Sequence, residues 1–142
     1  MSKLKEIDMT QSFEYNGIKF NSAYWVVGHI AWSENMLLIR GTGGKRVRLP
    51  WLKSFEMGAK YEHTLEMPSI KEIIDAMKLI HQTAKEHLKT LDLADLDKPN
   101  TLDFEFSGDK SIRMIIQHAA RHEASHAGHL GWLCKMHGVK TF

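Results

Sequence analysis

The run from Ile112 to His137 constrains this chain more than any other stretch, because it holds five of the nine histidines and no proline. Wound as a helix at about 100° per residue, it places His118, His122, His126 and His129 within roughly 80° of one another, beside Ile115 and Leu133. Arg113, Arg121, Glu123 and Lys135 point elsewhere, so imidazoles occupy the stripe that normally turns toward a core. A lone core histidine is ordinarily a neutral ring hydrogen-bonded to a neighbour. A pair four apart is different, since such positions lie about 6 Å from each other on one face. His122 and His126 can therefore place two nitrogens on one metal ion.

The same five residues, His122-Glu123-Ala124-Ser125-His126, also spell HExxH, the zinc-protease signature in which the glutamate is the general base. A zincin of the glutamate type takes a third ligand from a later helix, yet no Asp or Glu follows Glu123 before Phe142. The extended metzincin pattern wants Gly where His129 stands and His where Trp132 stands. Glu123 lies about 100° around the helix from His122, which favours a solvated side chain. The protease is thus a distant alternative, and a third ligand has to come from upstream.

Upstream, a helix is expected to start from Asn21 or Ser22 as N-cap, run through AYWVVGHIAWSENMLLIR and stop at Gly41. His29 is in its middle and shares a face with Trp25, Val26, Trp32 and Met36. Facing His122 and His126 across a bundle, it is the natural third ligand. Before this helix, Met1 to Tyr15 is polar with weak helical spacing at Leu4 and Ile7, and Asn16-Gly17 signals a turn. Residues 42–68 form a long connection in which PWLKSFEMG predicts a short helix anchored by Trp51 and Phe55; connections of this length often line or cover a site. Ser69-Ile70-Lys71-Glu72 is a capping box opening a helix to about Leu91, with Ile70, Ile73, Met77, Ile80, Ala84 and Leu91 as its buried stripe. His81 and His87 fall at its edges, solvated or half-buried. Asp92 to Gly108 reads as a linker turning at Pro99-Asn100, with Leu102, Phe104 and Phe106 only weakly suggestive of a strand. Ser107 or Asp109 is expected to cap the histidine helix and Gly138 to end it.

Three long helices with long connections predict an all-α bundle forming one domain over residues 1–142. A net charge of +2 argues against nucleic acid, and Lys45-Arg46-Arg48 reads as a solvated loop. The apolar runs are shorter than the ~20 residues a membrane helix needs. The single cysteine, Cys134, sits about 120° around the helix from His122 and reads as a packing or surface thiol. One cysteine and no signal peptide point to the cytoplasm.

His29 within VGHIAWSE, followed far downstream by His122-x3-His126-x-Gly-His129-Leu130, resembles the DinB-like family of metal-binding four-helix bundles, also called YfiT-like metal-dependent hydrolases. The resemblance spans roughly Met9 to Val139. It implies a four-helix bundle with His29, His122 and His126 as metal ligands, and Glu34 recurs in the family pattern. Relatives usually carry Gln where this chain has His129, and a full first helix where this chain has only a short segment, so that helix is expected to be short or missing. Three neutral imidazoles would leave an open position on a divalent transition metal, zinc or nickel. Bound water with a pKa lowered toward ~7 would serve a hydrolase. Similar proteins include transferases and isomerases that use a low-molecular-weight thiol as co-substrate, so S-transfer on a small-molecule substrate is the parallel expectation. A metal-binding protein without turnover is the reading from another class. With the first helix short, an apolar groove lined by Trp25, Val26 and Met36 is expected to stay uncovered, and a homodimer to bury it.

Overall fold

The structure is a computed structural model that describes residues 7–59 and 66–140. A two-stranded hairpin, β1 (Glu14–Tyr15) and β2 (Ile18–Lys19), precedes the helices α1 (Ala23–Glu34), α2 (Ile70–Leu88) and α3 (Ile112–Met136). The fold is otherwise helical, as expected, and α1 lies between α2 and α3, packing against both. No helix among the described residues is long and apolar enough to cross a membrane.

That central position explains the composition of α1. A helix apolar on every side must be buried on every side, and each residue from Ala23 to Ala31 is buried. Ser22, not Asn21, is its N-cap, with Oγ accepting from the Trp25 amide at 3.2 Å. After Glu34 the helix continues to Arg40 in π geometry, closed by the Gly41 amide on the Met36 carbonyl at 2.7 Å. The loop beyond is pinned to it by Asn35, which is buried: its Oδ1 accepts from the Val47 amide and its Nδ2 donates to the Val47 carbonyl, both at 2.9 Å.

α2 opens on the expected capping box, Ser69 and Glu72 satisfying each other's backbone amides. It buries Ile73, Ala76, Ile80 and Ala84. It ends at Leu88, short of the expected Leu91, where the Thr90 hydroxyl takes the His87 carbonyl. α3 begins later than either expected cap would place it. Asp109 accepts from the Ser111 amide at 2.7 Å, and Ser111 is the cap, accepting from the Met114 amide at 3.1 Å. Ser107 sits instead in a turn at φ 55°. The Leu102 to Phe106 alternation makes no strand, only an isolated bridge between Phe106 and Asp109. Gly138, at φ 76°, follows the end of α3 as expected.

The expected groove is covered on its Trp25 side. Trp25 and Val26 are 7% and 3% exposed, with Ile7, Met9 and Phe13 packed onto the Tyr24–Phe55–Ile73 cluster they belong to, and Met36 is half-buried. The Tyr24 amide donates to the Met9 carbonyl at 2.7 Å, fastening that segment to the start of α1. Leu4, which with Ile7 suggested a short helix, lies outside the described residues.

The connection after α1 also adds cover: Pro50–Phe55 is a short 3₁₀ helix whose Leu52 and Phe55 are buried. Phe55 reaches the core only because residue 28 is glycine, since a Cβ there would stand 2.3 Å from the Phe55 ring. Glycine inside a helix costs about 1 kcal/mol relative to alanine. Here the sign should reverse: Gly28→Ala should destabilise by about 1–3 kcal/mol through overpacking, read as an earlier urea midpoint. A more stable variant would show that Phe55 is not held against α1.

Candidate metal centre

His29 is fixed on three sides. Its Nδ1 lies 2.7 Å from the backbone carbonyl of Phe55, which can only accept, so Nδ1 carries the proton and Nε2 keeps its lone pair. Trp25 stacks on the ring at 4.6 Å between centroids and Trp32 at 5.6 Å. The Ser33 hydroxyl, one turn along, lies 3.3 Å from Nε2. Across the interface α3 brings His122 and His126, with ring centroids 5.2 and 5.0 Å from that of His29.

The nitrogens of the α3 pair have the spacing that a metal asks for. His122 Nε2 and His126 Nε2 are 3.3 Å apart; two nitrogens about 2.05 Å from a tetrahedral ion stand roughly 3.3 Å from each other. One nitrogen from each of His29, His122 and His126 falls within 4.8 Å of the others, so the three could hold a metal ion. They are also in the required protonation state. Burial, and then the neighbouring imidazoles, lower His122 and His126 to about 4, and burial lowers His29 against the opposing pull of the Phe55 carbonyl. At neutral pH all three are neutral rings with lone pairs free for ligation.

The other two histidines of the expected inward stripe stay outside this trio. His118 is half-buried and stacks on Phe106 at 3.9 Å, and burial lowers its pKa. His129 is exposed. Its Nδ1 is nonetheless 3.2 Å from His126 Nδ1. Glu34, which sequence left without a role, is largely buried and takes His81 Nδ1 at 2.8 Å; burial raises its pKa and His81 opposes the rise. His81 is accordingly an exposed edge residue, and half-buried His87 bonds the Thr42 hydroxyl at 2.8 Å. Glu123 is exposed, as its position around the helix suggested, and Cys134 is buried packing.

Beside His126 opens a groove of about 460 Å³ that is mostly apolar, walled by Phe20, Val26, His129, Trp132, Leu133 and Met136. Trp132 is 68% exposed. Sequence reasoning used Trp132 only to reject a protease pattern. The signal was present, since His126, His129, Leu133 and Met136 recur at the three- and four-residue steps of one helical face.

The sequence model of the DinB superfamily matches residues 9–130, a span that contains all three histidines. No curated protein and no solved structure matches the chain.

The depressed histidines set an acid limit on the metal-free fold. Between the ordinary histidine value of 6.5 and about 4 the unfolded chain takes up protons that folded His122 and His126 refuse. Their stabilising contribution is therefore complete above about pH 6.5 and lost as pH falls toward 4. In chelator, the urea midpoint should fall across that window, and His122→Gln/His126→Gln should flatten the fall. An unchanged slope in the double variant would mean that these rings are not kept neutral by the fold.

Proposed function

We propose a metal-dependent reaction on a small molecule, from the premise that the chain belongs to the DinB superfamily. The observation that carries it is the neutral three-histidine cluster with its nitrogens within 4.8 Å. His29, His122 and His126 would hold one divalent transition ion, with zinc or nickel suited to all-imidazole ligation. Bound there by three side chains, such an ion would supply Lewis acidity and an open position for substrate.

The chain's own residues do the rest. The Phe55 carbonyl keeps the proton on His29 Nδ1 and aims Nε2 into the site. With His126 Nε2 on the ion, its Nδ1 would carry the proton and donate to His129 Nδ1, an outer hydrogen bond of the kind that orients a ligand and raises its basicity. Trp25 and Trp32 hold the His29 ring between them and keep water from its faces. The groove from His126 to Trp132 takes an apolar substrate body of modest size.

An apolar groove ending at the site favours transfer between a low-molecular-weight thiol and an apolar acceptor, with hydrolysis of an apolar ester or amide as the second reading. Metal binding without turnover is served less well by this arrangement, because a store has no use for a substrate-sized groove beside an open position. A protease of the HExxH type needs Glu123 as base, and Glu123 is exposed.

Two measurements test the reading. Elemental analysis of protein purified without a histidine tag and loaded with zinc or nickel should find about one ion per chain, and His122→Ala should lose it; a wild-type protein without metal would sink the proposal. Glu123→Gln should keep metal content and any activity within a few fold, whereas loss of a general base costs on the order of 10²–10⁴ in rate. A collapse of activity at full metal content would restore the protease.

A further inference from the structure

Trp32, whose ring stacks on His29, also lines a second cleft, of about 640 Å³. Its apolar wall is completed by Pro50 and Leu52, and it is ringed by Arg46, Arg48 and Lys53 against one acid, Glu56. Among the described residues none of the three cations has an ion-pair partner; the one contact of the Arg46 guanidinium is the Met36 sulfur at 3.9 Å. From sequence these cations read as a solvated loop.

The structure shows a built loop instead. Val47, between the two arginines, packs its side chain onto the Ile39–Leu52–Ile80 cluster. Both of its backbone polar groups are taken by the side chain of Asn35, which is 4% exposed. Asn35 is the first residue of the π segment, and π turns inside α-helices are frequent at functional sites. A buried amide thus fixes the backbone between two arginines that line one cleft. A cleft ringed by one sign of charge focuses its field and concentrates ions of the opposite sign. Arginine forks pair with carboxylate or phosphate oxygens, and a flat apolar wall takes a flat apolar body.

We propose that this cleft binds a small organic oxyanion, its charged group held by Arg46 and Arg48 and its apolar part laid against Trp32. That the bound molecule is also a substrate of the histidine cluster, one indole ring away, rests on the function proposed above. The binding itself does not, and it is tested without metal.

Chelator-treated full-length protein is titrated by calorimetry at low salt with naphthalene-2-carboxylate, 1-naphthyl phosphate, neutral naphthalene-2-carboxamide and inorganic phosphate. One of the two naphthyl anions should bind about 10-fold or more tightly than the amide, and the tighter one identifies the head group. Arg46→Gln/Arg48→Gln should remove that advantage and leave the amide unchanged, because both side chains are exposed and the fold does not need them. Lys45→Gln, outside the cleft, should change nothing. Equal binding of anion and amide would overturn the proposal. So would inorganic phosphate binding as tightly as the naphthyl anions, or an equal loss in Lys45→Gln. Metal content is measured separately on reloaded protein, so a failed histidine site and a failed anion cleft give different results.

Discussion

The arrangement depends on one hydrogen bond, from His29 Nδ1 to the Phe55 carbonyl at 2.7 Å. It settles which imidazole nitrogen faces the site, and it ties the middle of α1 to a segment twenty-six positions away. The bond needs the Phe55 ring to come closer to α1 than any side chain at position 28 would allow, so a glycine that weakens the helix is what lets the helix carry a fixed histidine. The same short 3₁₀ turn buries Leu52 and sends Lys53 to the second cleft. A connection expected to line or cover a site does both, bonding His29 and lining the second cleft.

Much of this was legible beforehand for a definite reason: helical spacing carries geometry. His122 and His126 at i and i+4 announce two nitrogens on one face, and Ser69 with Glu72 announces a helix start. What escaped reading belongs to atoms or contacts without a residue signature. A backbone carbonyl such as that of Phe55 has no letter of its own. Ser107, Asp109 and Ser111 all suit an N-cap, and the choice fell to Ser111, whose neighbour Lys110 has its carbonyl fastened by buried Asn100 at 2.7 Å. The Asn16-Gly17 turn was visible, but its strands are two residues each and exposed, too short to show a period. The closure of the Trp25 side by Met9 and Phe13 was hidden because those residues act as single plugs rather than as an amphipathic stripe.

Charge is distributed around the cluster with a clear division. The His29, His122 and His126 nitrogens lie against other imidazoles, the Ser33 hydroxyl and the Phe55 carbonyl, and each neighbouring imidazole discourages protonation of the others. Carboxylates stay at the margins: Glu34 is occupied by His81 and Glu123 is exposed. A divalent ion would arrive with its whole charge uncompensated by the protein, which makes an anionic ligand or substrate the natural neutraliser. The two clefts then differ in kind, the Trp132 groove offering apolar area and the Trp32 cleft offering positive charge.

The π segment from Asn35 to Arg40 has a consequence for anyone comparing this chain with others. An i→i+5 turn accommodates one residue more than an α turn, and every residue beyond it is rotated by about 100° relative to an uninterrupted helix. Chains whose first long helix runs on in plain α geometry will correspond to this one only with a one-residue gap between Glu34 and Gly41. An ungapped comparison would keep His29 in register and still shift the residues that follow. Residues past the segment, Arg46 and Arg48 among them, would then be sought one place away from their true counterparts.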